Sequence, residues 1–322
     1  MSRKWSGEWG LDDDGGDVDG VGSGESVGSV GSVGSTGSVG SVGHAADKGA
    51  GGRQVSLQVL IPTRDRAAEL AVTLAGLAAQ DGPSFGVVVS DQSPGPPSWE
   101  HPAAAAMVRV LRAQGRPVRL ERNLPARGLA QQRQHLLDLA EAPLVLYLDN
   151  DVWLEPDMLR RMAGALAEAG CGFVGAAVQG LSYLRDRRPR EQESFEPWSG
   201  PVLPERIRRG GPGFNRWPLH NAANLTHLAA RLDVPAGSWQ LYKVAWVGAC
   251  VLFDRRKLVD CGGFEFWQDL PPGHSGEDVA AQWQVMEKYG GAGLVPSGAV
   301  HLESPTTVRD RSTDAAEQMF GQ

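Results

Sequence analysis

Apolar residues in this chain fall into short unbroken runs separated by amphipathic stretches. The first run, Val55-Ser56-Leu57-Gln58-Val59-Leu60-Ile61, is rich in β-branched residues and stops at Pro62, which predicts a buried strand. A polar turn over 63–66 follows, and Leu70, Leu74 and Leu77 then recur at i, i+4 and i+7, the apolar stripe of a helix. After Asp81-Gly82-Pro83, the run from Phe85 to Val89 predicts a second strand ending at Ser90-Asp91. Pro96-Pro97 is a break, 103–111 reads as a helix and 118–120 as a short strand. Residues 129–140 read as a helix with Leu129, Leu136, Leu137 and Ala140 inward, and Leu144-Val145-Leu146-Tyr147-Leu148 is a third strand running straight into Asp149-Asn150-Asp151. Far downstream, 293–295 and 299–300 are strand-like. Strands alternating with helices at this spacing predict an α/β fold, a mostly parallel sheet flanked by helices on both faces. Such sheets bind ligands at the carboxyl ends of their strands, where Asp91 and the pair Asp149 and Asp151 fall.

Before Val55 the pattern is different. Residues 15–43 are low in complexity, with Val-Gly-Ser repeating from Val27 to Gly43 around a single Thr36. Residues 1–52 hold 16 of the 42 glycines and no proline, which excludes a collagen-like reading. So little apolar surface cannot offset the entropy of ordering the backbone, and 1–52 is predicted to be a disordered tail ahead of one folded domain, 53–322. The tail also carries most of the net charge. Its eight acids and three bases leave a net of −2 on the remainder of a chain whose total is −7. A body so nearly neutral offers no electrostatic footprint for nucleic acid. Cys171, Cys250 and Cys261 lack C-x-x-C spacing, so neither a disulfide framework nor a cysteine zinc site is indicated. The longest apolar run, Val244 to Phe253, is too short to span a bilayer, and the first residues lack the apolar stretch of a signal peptide. A cytoplasmic protein with no transmembrane segment is the expectation.

The most chemical feature is the D-x-D after the third strand. Carboxylates two residues apart in extended backbone point the same way and can converge on one hard cation. Mg²⁺ or Mn²⁺ takes few protein carboxylates and fills its other positions with water or substrate phosphates.

From Val55 to Gly290 the order of motifs resembles a family 2 glycosyltransferase with the GT-A-type fold. VLIPTRDR resembles that family's first strand and Pro-Thr turn, with Asp65 where Asn is frequent. VVVSDQS resembles its second strand, with Ser90 in place of the first Asp and Asp91 retained. NLPARGLAQQRQHLLDLAEAPLVLYLDND resembles its Gly-rich turn, Arg-bearing helix and D-x-D, with Arg133 at the expected distance from Asp149 and Gln134 in place of the usual Asn. WVGACVLFDRRKLVDCGGFEFW and HSGEDVAAQWQVMEKYG resemble the Gly-Gly-Phe turn and the Glu-Asp motif with its helix.

The resemblance implies one nucleotide-diphospho-sugar transferase domain, with a nucleotide-binding part over about 53–153 and an acceptor-side part over about 154–322. It implies donor contacts from Pro62, Thr63, Arg64, Arg66, Asp91 (to the base), Gly128, Arg133 and Asp149. A Mn²⁺ or Mg²⁺ ion is expected on Asp149, Asp151 and His301, and the catalytic base is expected to be Asp278, with Glu277 as the fallback. Both acids open a helix, whose dipole is expected to lower the Asp278 pKa. Arg309 and Arg311, just beyond His301, would clamp phosphate if the C-terminal stretch folds over the site. Residues 182–245 match no motif. With nine arginines and Trp198, Trp217 and Trp239, this insert is either an acceptor-recognising segment or a solvated loop with anchoring tryptophans.

The implied reaction moves a sugar from a nucleoside-diphosphate donor to an unidentified acceptor (a glycan, a lipid-linked compound or a small molecule) with inversion. Two alternatives stand beside it: a sugar-1-phosphate nucleotidyltransferase, whose Gly-rich phosphate loop PTRDRAAEL lacks, and a catalytically silent glycan- or nucleotide-binding homologue. A dinucleotide dehydrogenase is disfavoured because no G-x-G-x-x-G follows the first strand.

Overall fold

The computed structural model describes residues 55–308 and 310–321. The predicted disordered tail, 1–52, and Arg309 lie outside the described residues. The first half of the domain follows the predicted alternation: β1 (Leu57–Thr63), α1 (Ala67–Ala78), β2 (Phe85–Asp91), α2 (Pro102–Ala113), β3 (Val118–Arg122), α3 (Leu129–Leu139) and β4 (Leu144–Leu148). Then come β5 (Val152–Leu154), α4 (Met158–Ala169), β6 (Phe173–Gly175), β7 (Gln179–Gly180), α5 (Pro189–Gln192), α6 (Asn224–Ala229) and β8 (Gln240–Tyr242). The chain closes with β9 (Cys250–Asp254), α7 (Arg255–Asp260), α8 (Glu277–Tyr289), β10 (Gly291–Val295), β11 (Ala299–His301) and α9 (Ala315–Phe320). Among the described residues no helix is long and apolar enough to cross a membrane.

The main sheet has eight strands in the order β3-β2-β1-β4-β9-β6-β10-β8. Strands β3, β2, β1, β4, β6 and β10 run one way, and β9 and β8 run against them. Side chains alternate between its two faces, as the pleat requires. Leu57, Val59 and Ile61 of β1 join one core with Leu70, Leu74 and Leu77 of α1 and with α2 and α4. Leu60 joins the other, with Val145 and Tyr147 of β4, Leu136 and Leu137 of α3 and the apolar side of α8. A second sheet, β5-β11-β7, is not visible as a sequence pattern, since its strands are two or three residues long. Its register sets the far side of the D-x-D, with β11 pairing Val152 opposite His301.

The insert 182–245 is largely irregular but not unattached. Trp198 and Trp239 pack against the α1 face of the core, and Trp217 packs against the α3 face. These indoles are half-buried.

Strand β10 owes its glycines to close packing. A Cβ on Gly293 would collide with the ring of Tyr242, which is fully buried on the adjacent β8. Gly293→Ala is therefore expected to lower the unfolding free energy by about 1–3 kcal/mol, the usual cost of overpacking a filled core. Urea denaturation reads this as a lower midpoint, and an unchanged midpoint would show that β8 yields freely.

Candidate active site

Parallel pairing brings the carboxyl ends of β1, β2 and β4 together, with Thr63 opposite Asp91. The turn after β4 is pinned from three sides. The Asp149 amide donates to the Ala249 carbonyl at 2.9 Å, an extension of the β4–β9 pairing. Asn150, buried between the two acids, donates its side-chain amide to Thr63 Oγ1 at 2.7 Å. Thr73, inside α1, donates its hydroxyl to the Asn150 carbonyl at 2.8 Å and accepts from the Val152 amide at 3.2 Å. The middle residue faces the core, and the two acids diverge into separate ionic clusters.

On one side Asp149 meets Arg133. The guanidinium is almost fully buried on α3, donating to Asp149 Oδ1 at 3.0 Å and to Glu277 Oε1 at 3.1 Å. Tyr147 supports it twice: the arginine lies 5.6 Å from the Tyr147 ring centroid, and the Tyr147 hydroxyl donates to the Arg133 carbonyl at 2.8 Å. Burial works against the arginine's charge. Asp149, Glu277 and Asp278 outweigh it and hold Arg133 above its ordinary pKa. Asp149 ends above the usual carboxylate range, because burial and the nearby Asp151 and Asp278 outweigh the attraction of Arg133.

Asp278 sits next to this pair at the start of α8. Glu277 is buried and spent on Arg133, whereas Asp278 is half-buried and accepts from the Val279 amide at 2.9 Å. Among the described residues no cation pairs with it. Burial first, and then Glu277, raise its pKa to about 6 against the pull of Arg133. This reverses the expectation drawn from the helix dipole, because desolvation and a neighbouring carboxylate exceed the field of one helix end.

Asp151 lies on the other side. Its Oδ2 accepts from Arg66 Nη1, and Arg66 Nη2 donates to the Pro305 carbonyl, so one buried guanidinium ties the acid to the C-terminal segment. His301 Nε2 is 3.5 Å from the same carboxylate oxygen. His301 Nδ1 accepts from the Glu303 amide at 2.8 Å, so the neutral ring carries its proton on Nε2, toward Asp151. Of the expected metal trio, Asp151 and His301 are together and Asp149 is turned to Arg133. Among the described residues no group of three or more His, Cys, Asp or Glu could hold a metal ion. A carboxylate beside an imidazole nitrogen is a two-ligand edge that leaves further positions to water and phosphate oxygens, and its nitrogen suits Mg²⁺, an oxygen-seeking ion, less well than softer divalent cations.

The remaining expected donor residues divide into supports and exposed groups. Pro62 and Thr63 are buried at the end of β1. Asp91 is fully buried, its two carboxylate oxygens accepting from the amides of Ser93 at 2.6 Å and Ser98 at 2.7 Å. Arg64 is exposed beside Asp65, whose φ of +54° suits the Asp or Asn found in such turns. Arg311 is exposed and donates to Thr306 Oγ1 at 3.2 Å. Gln134 accepts from the Phe264 amide at 2.8 Å in the Gly-Gly-Phe turn.

Gly128, at φ +95°, lies under the loop that precedes α8. A Cβ there would strike the His274 ring and come within 2.6 Å of the Pro272 carbonyl. His274, nearly fully buried, accepts from the Ala130 amide through Nε2 at 3.1 Å, and its Nδ1 donates to the Pro271 carbonyl at 2.7 Å. It thus caps the start of α3 from the loop that leads into Glu277 and Asp278 of α8. Gln132 does similar work, donating to the carbonyls of Thr63 at 3.1 Å and Ser90 at 2.7 Å. Neither residue stands out in the sequence. A lone histidine in a Pro-Gly loop and one glutamine among several give no local signal of burial.

The chain matches the family model described as Glycosyl transferase family 2 over residues 58–229. No curated protein matches it. Similar solved structures include residues 1–349 of TarS from S. aureus, 17% identical, with a TM-score of 0.47 over 77% of this chain and 60% of that one. The same TarS fragment in complex with UDP-GlcNAc is 16% identical, with a TM-score of 0.48 over 79% and 60% of the two chains. The mannosyltransferase PcManGT from Pyrobaculum calidifontis, in complex with GDP-Man and Mn²⁺, is 17% identical, with a TM-score of 0.48 over 79% and 58%. The chain therefore spans about 60% of the length of the TarS fragment. The family match is of another order, since it extends over more than half of the 322 residues, and by it the chain belongs to glycosyl transferase family 2.

Proposed function

We propose that this protein transfers a glycosyl group from a nucleoside-diphosphate sugar to an acceptor hydroxyl or amine, with Asp278 as the general base. The observation that carries this reading is the contrast among four neighbouring acids. Asp149 and Glu277 share Arg133, Asp151 has Arg66, and Asp278 alone has no cation partner among the described residues. A half-buried carboxylate with a pKa raised to about 6 is a stronger base than an ordinary aspartate and is still largely ionised at neutral pH.

Arg133 and Arg66 supply fixed positive charge on either side of the D-x-D, suited to the charge that develops on a departing diphosphate. Asp151 and His301 would hold a Mn²⁺ or Mg²⁺ ion shared with the donor. Such an ion neutralises phosphate charge without proton chemistry. A cation on His301 Nε2 would require that proton to move to Nδ1 and the Glu303 contact to loosen, a tautomer change that weakens binding without releasing a proton. Removal of the acceptor proton by Asp278 during a single displacement inverts the anomeric carbon. The nucleotidyltransferase alternative gains no support, because a short turn into α1 follows β1 with no Gly-rich phosphate loop.

A panel of nucleoside-diphosphate sugars with Mn²⁺, followed by nucleoside diphosphate release with water as acceptor, tests the reading directly. No release from any donor would sink it. With the best donor, Asp278→Asn is expected to slow turnover by about 10²–10⁴-fold while the donor still raises the melting temperature. Unchanged turnover would move the base elsewhere. The wild-type kcat/KM should rise with pH through about 6 and then level, as Asp278 loses its proton, and the rise should vanish in Asp278→Asn.

Chelation by EDTA is expected to abolish turnover and Mn²⁺ to restore it. Asp151→Ala and His301→Ala should each raise the Mn²⁺ concentration needed both for activity and for Mn²⁺-dependent thermal stabilisation. Full activity in a demetallated sample would remove the cation from the reading.

A further inference from the structure

Strand β7 ends at Gly180, which pairs with His301 on β11. The chain that follows is anchored there: the Ser182 amide donates to Glu303 Oε1 at 3.0 Å, and Gly180 leaves only 2.8 Å between that oxygen and a would-be Cβ. From this anchor, residues 181–190 run across the surface through a short 3₁₀ turn, Leu181–Tyr183, into α5. Leu181 is 56% exposed and Leu184 45%. Arg185, Arg187 and Arg190 are exposed, and among the described residues none has a carboxylate at ion-pair distance. The nearby acids Asp186 and Glu191 are already taken by Arg188, at 2.8 and 3.7 Å.

Single exposed leucines or arginines need no explanation. Here two leucines and three unpaired arginines occur within ten residues, on a chain whose net charge is −7. Unpaired cations beside aliphatic side chains match the boundary of an anionic bilayer, where phosphates meet the first methylenes. A nucleic acid has phosphates to offer, but no counterpart for the leucines. We propose that residues 181–190 dock this protein on an anionic lipid surface, with Leu181 and Leu184 entering the headgroup boundary and Arg185, Arg187 and Arg190 pairing with lipid phosphates. The contact is peripheral, goes beyond the proposed glycosyl transfer and does not depend on it.

The test is co-sedimentation of the full chain with phosphatidylcholine vesicles, with and without phosphatidylglycerol. Retention is expected only with phosphatidylglycerol and should weaken as salt screens the charges. Each arginine near the surface contributes about five-fold, so Arg185→Gln, Arg187→Gln and Arg190→Gln together should lower partitioning about 100-fold. Leu181→Ser with Leu184→Ser should lower it by about ten-fold or more. Melting temperatures and donor hydrolysis in lipid-free buffer should match wild type in both variants, and that hydrolysis reads the transferase reading separately. Equal retention on both vesicle types, wild-type retention of both variants, or binding to heparin without binding to phosphatidylglycerol vesicles would each overturn the proposal.

Discussion

A buried guanidinium between two carboxylates is the constraint on which this site depends. Arg133 comes from α3, Asp149 from the end of β4 and Glu277 from the start of α8. An isolated charge at that depth would be prohibitive, and a carboxylate left there without its cation would be nearly as costly. The three groups stabilise one another only in company. Elements distant in sequence are therefore held in one register, and Asp278 is carried into position next to Glu277.

The same logic repeats across the D-x-D with different partners. Arg66 neutralises Asp151 and reaches the Pro305 carbonyl, so the C-terminal segment is attached to the acid side of the turn. Two arginines thus divide the acids and leave one of the four, Asp278, without a cation partner among the described residues. Environments that push neighbouring titratable groups apart are what give them separate chemical roles. Neutral clamps complete the frame. Gln132 bridges the ends of β1 and β2, and His274 fastens the start of α3 to the loop before α8. Because His274 accepts a backbone N–H through Nε2, this contact needs the neutral imidazole.

Much of this architecture is legible in the chain. The stripe Leu70, Leu74 and Leu77 and the run 144–148 announce a helix and a strand, because burial on one face repeats with the period of the backbone itself. The termination of β4 in Asp149-Asn150-Asp151 is equally local, and the ordered motifs about it carry the family resemblance. The Val-Gly-Ser composition of 1–52 likewise sets that stretch apart from the rest by sequence alone.

The sequence by itself therefore determined the order of strands and helices from β1 to β4, the faces they bury and the neighbourhood of the acids. Only the tertiary structure decided what each acid does there. Glu277 and Arg133 are 144 residues apart and form an ion pair that no periodicity encodes. Asp91 is closed off by the amides of its own turn, and the short strands β5, β7 and β11 pair without a pattern long enough to read. At Asp278 the local rule points the wrong way, since a helix N-terminus lowers a carboxylate pKa and this one is raised to about 6. Desolvation and the field of a neighbouring charge depend on which atoms surround the group in space, and that is settled only when distant segments pack together.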